Sequence, residues 1–332
     1  MKAQFRRKLF EFAVSQSLRL RHVLFSKGSL ARVLRAAERR NFVEDLALHE
    51  HMLADSMRLG AYRAAIDRYV TPKDCVADIG TGTGVLAFLA AARNPRKVFA
   101  VERSKPLLDY ARLAAAANGI DNVDFVAASS HKFRPTEPID VIVQEQMGIA
   151  LFDEGMVETV IDVRDRCLRP GGKILPARFE FYLEPVQLLA EERVPMSWEQ
   201  PICGFTFPRP LTKSPQGCFR EIARRQIDLL LCESSPAFAF DLTSLTCEEL
   251  PRRFCVRKSV ERSGQLDGIC IYFRAIFDDE IAFSTGPDVV RTHWPMLFYR
   301  TPARAYQPGQ IFSLDVEVPD LSDYLEWSWH VA

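Results

Sequence analysis

Two acidic positions, Glu145 and the pair Asp153 and Glu154, bracket a short segment that contains Gly148. If this segment doubles back at the glycine, the carboxylates of Glu145 and Glu154 converge on one point. Two like charges in one cleft raise each other's pKa unless a cation lies between them, and a planar guanidinium fits that position best. A second interpretation involves no chemistry: Glu145 ends a strand, and the later acids favour the N-terminus of the next helix through its dipole.

A glycine-rich segment lies between a predicted strand and a predicted helix. Asp78 precedes Gly80, Gly82 and Gly84 in a Gly-x-Gly-x-Gly pattern. Glycines permit a tight turn there, and free backbone N–H groups let a ligand approach the main chain closely. The third glycine comes one place too early for a dinucleotide fingerprint. Glu102 ends the next predicted strand, where a carboxylate can accept both hydroxyls of a ribose. The sequence therefore predicts a nucleoside ligand without a pyrophosphate.

The elements that position these residues alternate between strand and helix. Such alternation predicts a parallel sheet covered by helices on both faces, with ligands bound at the carboxyl ends of the strands. The predicted strands are residues 75–79, 98–101, 123–126, 139–143 and 174–175, the predicted helices are 86–92 and 106–118, and a turn is predicted at 169–172.

The second half of the chain has a different pattern. After Pro176 the sequence consists of short β-branched and aromatic runs separated by Pro and Gly. This pattern predicts a second, mostly antiparallel domain, either a barrel or a sandwich, with the domain boundary near residue 177. Residues 195–226 are rich in Pro and contain a short helical pattern at 219–225. We expect this segment to be an excursion from the second domain.

Charge is distributed unevenly along the chain. The whole sequence contains 43 basic and 43 acidic residues, but residues 1–41 contain eleven basic and only two acidic ones. The remainder is therefore acidic, which favours a cationic substrate over nucleic acid. Residues 3–35 have the spacing of one or two amphipathic helices. These would dock on the body or on a second subunit, or serve as a targeting or membrane-surface segment.

Composition excludes several classes of protein. The chain has 332 residues, of which 48% are hydrophobic and 26% charged, as in globular proteins of about two domains. Its eight cysteines form no Cys-x-x-Cys pair and no zinc-ligand spacing, so no metal site and no disulfide framework is expected. Neither a signal peptide nor an apolar run long enough to span a membrane is present. We expect a cytoplasmic protein with reduced thiols and no transmembrane segment.

Three separated motifs together resemble known enzymes. The glycine segment with Glu102 resembles the loop of class I S-adenosylmethionine-dependent methyltransferases, and residues 145–156 are similar to the double-glutamate loop of the protein arginine methyltransferase family. Residues 292–294, Thr-His-Trp, are similar to that family's Thr-His-Trp loop. Residues 49–55, with Arg58 and Tyr62, resemble the helix that covers its cofactor. The motifs occur in the family's order between about residues 45 and 325.

The resemblance implies an α/β fold in which a Rossmann-like methyltransferase sheet is followed by a mostly antiparallel β-barrel domain. The implied domains are a basic helical extension at 1–44, a cofactor domain at 45–177 and a barrel substrate domain at 178–332. A dimerisation arm inserted in the barrel would correspond to about residues 195–226, so the resemblance implies a homodimer. It also implies S-adenosyl-L-methionine as cofactor and S-adenosyl-L-homocysteine as product.

The resemblance assigns roles residue by residue. Glu145 and Glu154 would hold the guanidinium, while His293 would pair with Asp55 and help to remove the proton. Among the cofactor contacts, Arg58 would bind the carboxylate. Met156 would lie near the sulfonium, and Ser130 stands where the family has an adenine-contacting glutamate. The implied cofactor-binding residues are His49, Met52, Arg58, Asp78, Gly80, Gly82, Glu102, Ser129, Ser130 and Met156.

Three departures from the family concern the substrate. The stretch matching the family's Tyr-Phe-x-x-Tyr motif, residues 39–43, contains no tyrosine; Gln146 stands where Trp or Pro is frequent, and Ile149 where an aromatic residue is frequent. The predicted function is N-methylation of an arginine guanidino group in a protein or peptide, by in-line displacement. One alternative is methylation of free arginine or another small guanidino or amine metabolite. The other is a non-catalytic binding or scaffold protein on a methyltransferase fold.

Overall fold

In a computed structural model of the protein, the described residues are 46–193, 201, 203–206, 219–288 and 292–332. The predicted basic extension at 1–44 lies outside them, as does most of the predicted arm. Residues from Leu46 to Ala332 belong to one compact unit. In the described ranges, none of the helices combines the length and the apolar character needed to cross a membrane.

The first half of this unit contains a five-stranded parallel sheet, as the alternating sequence pattern predicts. The strand order is β3-β2-β1-β4-β5. Every residue of the central strand β1 is buried, which explains why its sequence is apolar except at Asp78 and does not alternate. The strands are β1 (Cys75–Ile79), β2 (Lys97–Glu102), β3 (Val123–Ala127), β4 (Ile139–Gln144) and β5 (Leu168–Leu175).

Among the described residues, five α-helices accompany this sheet, and the two predicted ones are present within a residue of their predicted ends. Two of these five precede β1, and the others follow β1, β2 and β4. All five strands are parallel, so their carboxyl ends lie at the same edge of the sheet. This edge carries the glycine segment after β1, Glu102 at the end of β2 and Glu145 directly after β4. The helices are α1 (Leu46–Ala54), α2 (Ser56–Tyr69), α3 (Val85–Ala91), α4 (Lys105–Ala117) and α5 (Met156–Cys167).

The turn predicted at 169–172 lies inside β5. Its residues form an irregularity in the ladder, since Ile139 pairs with Leu168 and Val141 already pairs with Lys173. Gly171 adopts a φ of 75° within it. The Pro-Gly-Gly sequence therefore produces a bulge in a strand that continues on both sides, rather than a break between elements.

The second half of the chain forms antiparallel sheets. The larger sheet has seven strands, with the path β7-β13-β11-β6-β8 and with β9 and β12 paired to β6 and β11; the smaller sheet has the order β10-β14-β15. The strands are β6 (Arg178–Leu188), β7 (Phe219–Ile222), β8 (Ile227–Leu230), β9 (Phe238–Asp241), β10 (Arg253–Ser259), β11 (Gly264–Ile276), β12 (Ala282–Ser284), β13 (Met296–Tyr306), β14 (Ile311–Glu317) and β15 (Ser328–Val331).

The predicted barrel requires correction, because these strands do not close into one sheet in the described part of the chain. They form two separate antiparallel sheets. Aromatic side chains from both sheets pack together: the ring of Phe181 on β6 lies 5.3 Å from that of Phe254 on β10, and both contact Trp327. Packing between the sheets thus buries the inward apolar residues without a closed ladder.

The helical pattern predicted at 219–225 is also wrong. Phe219–Ile222 is the edge strand β7, which pairs antiparallel with β13 so that Ile222 lies opposite Met296. Only Arg224–Gln226 form a single 3-10 turn. Pairing with a long neighbouring strand outweighs the local preference of so short a segment. This part of the predicted arm therefore belongs to the sheet itself.

Candidate active site

The glycine segment after β1 adopts a conformation that other residues rarely reach. Gly80, Gly82 and Gly84 have φ values of 75°, 54° and 90°. Neighbouring side chains fill the space where a Cβ would stand. At Gly80 it would lie 2.7 Å from Nε2 of Gln146, and at Gly82 it would lie 2.9 Å from Cε1 of His49. Both backbone conformation and close packing therefore require glycine here.

Asp78, the fourth residue of β1, holds the glycine segment through hydrogen bonds. Its Oδ2 accepts hydrogen bonds from Oγ1 of Thr81, at 2.5 Å, and from the backbone N–H of Ala87 in α3, at 3.0 Å. Burial raises the pKa of Asp78 to about 7, against the opposing effect of these hydrogen bonds. The other carboxyl oxygen, Oδ1, is buried and has no hydrogen-bond partner among the described residues. Asp78 thus holds the turn and retains one acceptor.

Glu102 occupies the end of β2, as the sequence predicts. Its Oε2 accepts the backbone N–H of Gly82 at 3.2 Å, and its Oε1 accepts that of Ser104 at 2.7 Å. Each carboxylate oxygen keeps a further lone pair. The carboxylate is therefore oriented by the glycine segment and can still accept the two hydroxyls of a ribose.

Arg58 on α2 forms a buried ion pair with Glu145. Nη1 donates to Oε2 of Glu145 at 2.8 Å and Nη2 donates to the carbonyl of Met52 at 2.6 Å. The two side chains are only 2% and 7% exposed. Burial raises the pKa of Glu145 to about 7, although the charge of Arg58 opposes that rise. Nε of Arg58 is buried without a partner among the described residues, so this guanidinium has a donor available for an anionic ligand.

Unpartnered polar atoms are concentrated around this edge of the parallel sheet. Buried polar groups in native proteins are normally hydrogen-bonded, so the concentration indicates that a polar ligand completes the site. The glycine positions, the Glu102 carboxylate and these atoms fit the nucleoside and amino-acid parts of the predicted cofactor. The atoms are Arg58 Nε, Asp78 Oδ1, Ser104 Oγ, both amide atoms of Gln144, and Gln146 Oε1.

Asp55 connects α2 to the segment before β13. Its Oδ1 caps α2 by accepting the backbone N–H of Arg58 at 2.9 Å, and its Oδ2 lies 2.8 Å from both the backbone N and Nδ1 of His293. Burial acts to raise the pKa of Asp55, but the hydrogen bonds from His293 and Arg58 outweigh it and lower the pKa. The expected contact between Asp55 and His293 is thus present.

His293 is held in a form that can accept a proton. Burial and the nearby charge of Arg58 lower its pKa, although Asp55 acts in the opposite direction. A neutral imidazole that donates Nδ1–H to Asp55 leaves Nε2 as an acceptor. The adjacent Trp294 donates Nε1–H to the carbonyl of Met147 at 2.9 Å. The Thr-His-Trp segment is therefore tied both to α2 and to the double-glutamate segment.

The double-glutamate segment doubles back, as the first interpretation requires. Gly148 and Leu151 form an isolated antiparallel bridge, and Asp153 closes the turn by accepting the backbone N–H of Ala150 at 2.9 Å. Glu145 lies three residues before this bridge and Glu154 three residues after it. Glu145 is buried against Arg58 whereas Glu154 is exposed. One carboxylate is thus fixed inside the cleft and the other lies at the surface.

The remaining predicted residues occupy different environments. His49 is buried beside Gly82, and Met52 contributes its carbonyl to Arg58. Ser129 and Ser130 are half-buried after β3. Met156 is completely enclosed in the apolar core at the start of α5. The contact of Met156 with the sulfonium stays a prediction.

Two features of the site were not predicted from the sequence. Arg166 on α5 donates to the carbonyl of Ser130 at 3.0 Å and to that of Phe133 at 2.9 Å, so it supports the segment expected at the adenine. Gln144 and Gln146 flank Glu145 with buried, unpartnered amide atoms. Glutamine side chains are mostly exposed in proteins. Two glutamines at and just after the end of a buried strand were therefore the sequence signal from which a role in the site could have been predicted.

Comparisons with known proteins agree with this geometry. Residues 76–172 match a family model described as a methyltransferase domain. The chain is 30% identical over 269 residues to protein arginine N-methyltransferase 6 of Xenopus tropicalis, covering 75% of this chain and 76% of that protein. It is 28% identical over 281 residues to protein arginine N-methyltransferase 1 of Dictyostelium discoideum, covering 80% of each.

The fold is similar to that of the Trypanosoma brucei PRMT1 enzyme-prozyme heterotetrameric complex with AdoHcy. The TM-score is 0.72 at 22% identity, and the alignment covers 87% of this chain and 98% of that one. The Arabidopsis thaliana protein arginine methyltransferase 10 has a TM-score of 0.69 at 23% identity, covering 83% and 88% of the two chains. The parallel sheet followed by antiparallel sheets is therefore an arrangement that these structures share.

The Arg58–Glu145 pair generates a pH-dependent stability prediction. In Arg58→Met, the ionised Glu145 remains buried without its cation, so the free energy of unfolding should fall by about 3–5 kcal/mol at pH 8. The pKa of Glu145 is raised from 4.5 to about 7, so the folded protein holds this carboxyl proton more tightly than the unfolded chain does. The protonated carboxyl therefore adds to the free energy of unfolding at low pH, and this contribution is lost as pH rises through 7. The variant should therefore be destabilised less at pH 6, as measured by urea denaturation.

Arg63→Met is the matched control. Arg63 lies on the same helix, but its side chain is 73% exposed and its Nε is as far as 3.9 Å from Oδ2 of Asp67. Its loss should stay below about 0.5 kcal/mol at both pH values. Equal destabilisation by the two variants would contradict a buried pair.

Proposed function

Since the chain belongs to the protein arginine N-methyltransferase family and is an S-adenosylmethionine-dependent arginine N-methyltransferase, we propose that Glu145 and Glu154 hold the guanidino group of the substrate arginine. The observation that carries this proposal is the buried Glu145 carboxylate beside the glycine segment, already paired with a guanidinium, that of Arg58. The turn at Gly148–Leu151 supports the proposal, because Glu145 lies as many residues before the bridge as Glu154 lies after it.

The cofactor site is made of residues from four elements. Nε of Arg58 would hold the cofactor's carboxylate, Glu102 would hold its ribose hydroxyls, and Ser130 would lie at its adenine. Gly80 and Gly82 leave room for it to approach the backbone. S-adenosylmethionine, when bound, supplies an electrophilic methyl group at a sulfonium.

The two carboxylates act on the charge of the substrate. A protonated guanidinium is a poor nucleophile because its lone pairs are delocalised and its pKa exceeds about 12. Carboxylates on two of its nitrogens draw the positive charge towards them, which leaves electron density on the third. Nε2 of His293, with Nδ1 oriented by Asp55, would accept the proton released after transfer, and Glu154 is the other acceptor.

We infer that the substrate arginine belongs to a protein. The relatives that share about 30% identity are named protein arginine N-methyltransferases, and Glu154 is exposed. A specific observation favours free arginine as a second candidate: residues 39–43 lack the tyrosines of the family's motif. A homodimer and a cytoplasmic location stay predictions of the sequence, and sedimentation velocity at several protein concentrations would test the former.

The proposal predicts how methyl transfer depends on the two glutamates. Purified protein should transfer labelled methyl groups from S-adenosylmethionine to an arginine-rich peptide, as read by mass spectrometry. Glu145→Gln and Glu154→Gln should each lower kcat/KM by about 10²–10³, the loss typical when one preorganised electrostatic contact is removed. Glu158→Gln, which removes a charge from the first turn of α5, should stay within about twofold.

Near wild-type transfer by Glu154→Gln would exclude the paired role. Methylation of free L-arginine without methylation of the peptide would instead assign a biosynthetic substrate. Neither result would alter the assignment of the cofactor site, because Gly82→Ala tests that site separately.

Two glycines with the same backbone conformation separate cofactor binding from stability. Gly82 and Gly119 have φ values of 54° and 65°, but a Cβ at Gly119 would meet nothing within 4 Å. Both Gly82→Ala and Gly119→Ala should lose about 1–2 kcal/mol of stability from left-handed strain. Only Gly82→Ala should weaken binding of S-adenosylhomocysteine, by tenfold or more, because it also displaces His49. Isothermal titration calorimetry would measure this, and equal affinities would remove the glycine segment from the proposed site.

The raised pKa of Glu145 predicts a pH profile for the reaction. Only the ionised carboxylate binds a guanidinium, and in the free enzyme its pKa is about 7 because it is buried. The logarithm of kcat/KM should therefore rise with a slope of about one below pH 7 and level off above it, since this ratio reports groups of the free enzyme. The pKa of Asp78 is also about 7. Because the charge of Asp78 contributes to the raised pKa of Glu145, Asp78→Asn should keep the slope of about one but move the rise to lower pH. A flat wild-type profile from pH 6 to 8 would contradict the assignment.

A further inference from the structure

Gln146 is a polar residue of the cleft that the proposed reaction does not use. Its side chain lies directly against Gly80, where the position of a Cβ would be 2.7 Å from Nε2, 3.0 Å from Cδ and 3.1 Å from Cγ. Its Oε1 is buried and has no hydrogen-bond partner among the described residues. Leaving a buried carbonyl oxygen unpaired is energetically unfavourable. A donor is therefore missing at this point.

The surroundings indicate what kind of donor is missing. Oδ1 of Asp78, two residues before Gly80, is another buried acceptor without a partner. Glu145, which immediately precedes Gln146, already uses Oε2 to bind Arg58. Unpaired acceptors and carboxylates thus surround the glycine segment. A group with several N–H donors and a positive charge satisfies such a set of acceptors best.

The free donor of Arg58 locates this group. Nε of Arg58 would hold the carboxylate of the cofactor's amino-acid part, and that carboxylate shares its carbon atom with an ammonium group. The acceptor for the ammonium must therefore be a neighbour of Arg58. Gln146 is the candidate, because its backbone adjoins that of Glu145, the partner of Arg58, and its side chain lies against Gly80 of the glycine segment.

We propose that Oε1 of Gln146 accepts a hydrogen bond from the α-ammonium group of the methionine part of the cofactor. Gln146 would then be a cofactor-binding residue in its own right, beside Arg58 and the glycine segment. The proposal rests on the proposed function, since it requires the S-adenosyl ligand. It also accounts for the close contact between the amide and Gly80, which brings the side chain to the segment that binds that part of the ligand.

The test compares two ligands with two proteins by isothermal titration calorimetry. The ligands are S-adenosylhomocysteine and its analogue in which hydrogen replaces the α-amino group. The proteins are the wild type and Gln146→Met, which keeps the length of the side chain and removes the amide. Gln146→Met should bind S-adenosylhomocysteine about tenfold or more weakly, as expected for a lost hydrogen bond to a charged group, and should bind the deaminated analogue with wild-type affinity.

Several outcomes would overturn the proposal. Equal weakening of both ligands would indicate a change in packing, and unchanged affinity for both would show that the amide contributes nothing. A raised KM for an arginine peptide with unchanged affinity for S-adenosylhomocysteine would assign the amide to the guanidinium instead. Failure of the wild type to bind S-adenosylhomocysteine would reject the proposed function itself, which distinguishes the two failures.

A second variant protects the test against misfolding. Gln146→Glu keeps an acceptor oxygen at the same position, so it should retain the preference for the ligand with the amino group by at least the wild-type factor. Thermal unfolding of each variant gives the folded fraction independently. Loss of the preference in a folded Gln146→Glu protein would overturn the role of the acceptor.

Discussion

The buried ion pair between Arg58 and Glu145 is the interaction on which the rest of the site depends. Removing two charges from water is costly unless their geometry and their remaining hydrogen bonds compensate. Here the pair joins α2 to the end of β4, and Asp55 fixes its geometry by capping α2 at the backbone of Arg58 itself. The same Asp55 orients His293. Arg58, Glu145 and His293 are therefore held by one connected set of contacts.

A second buried ion pair in the protein clarifies what this one is for. Glu184 and Lys258 in the antiparallel sheets are 0% and 8% exposed, and Nζ of Lys258 donates to both oxygens of Glu184. Glu184 also accepts from Ser234 and Ser235, so both of its oxygens are hydrogen-bonded within the fold. The Arg58 pair differs because Nε is left without a partner. A completed pair is structural, whereas an incomplete one indicates a ligand.

Patterns within short stretches of sequence predicted the parallel sheet and the positions around it. Strand periodicity is a local signal, and the parallel sheet that it predicted was confirmed because a parallel strand buried on both faces has a recognisable apolar sequence. The closed barrel and the helix at 219–225 failed for the opposite reason. Whether β7 forms depends on pairing with β13, about 75 residues away, and no local pattern encodes that pairing.

The charged residues of the site were easier to predict than the neutral polar ones, and the difference is physical. A carboxylate or guanidinium restricts its surroundings strongly, because it must be paired when buried. The resemblance could therefore assign Arg58 and Glu145 from sequence alone. A glutamine amide is compatible with solvent, core or ligand, so its role depends on which atoms remain unpaired after folding. For Gln144 and Gln146 only the folded structure supplies that information, since it shows which of their amide atoms are buried without a partner. In the proposed function, the charged residues thus determine the reaction, while the neutral acceptors determine how the ligand is oriented in the site.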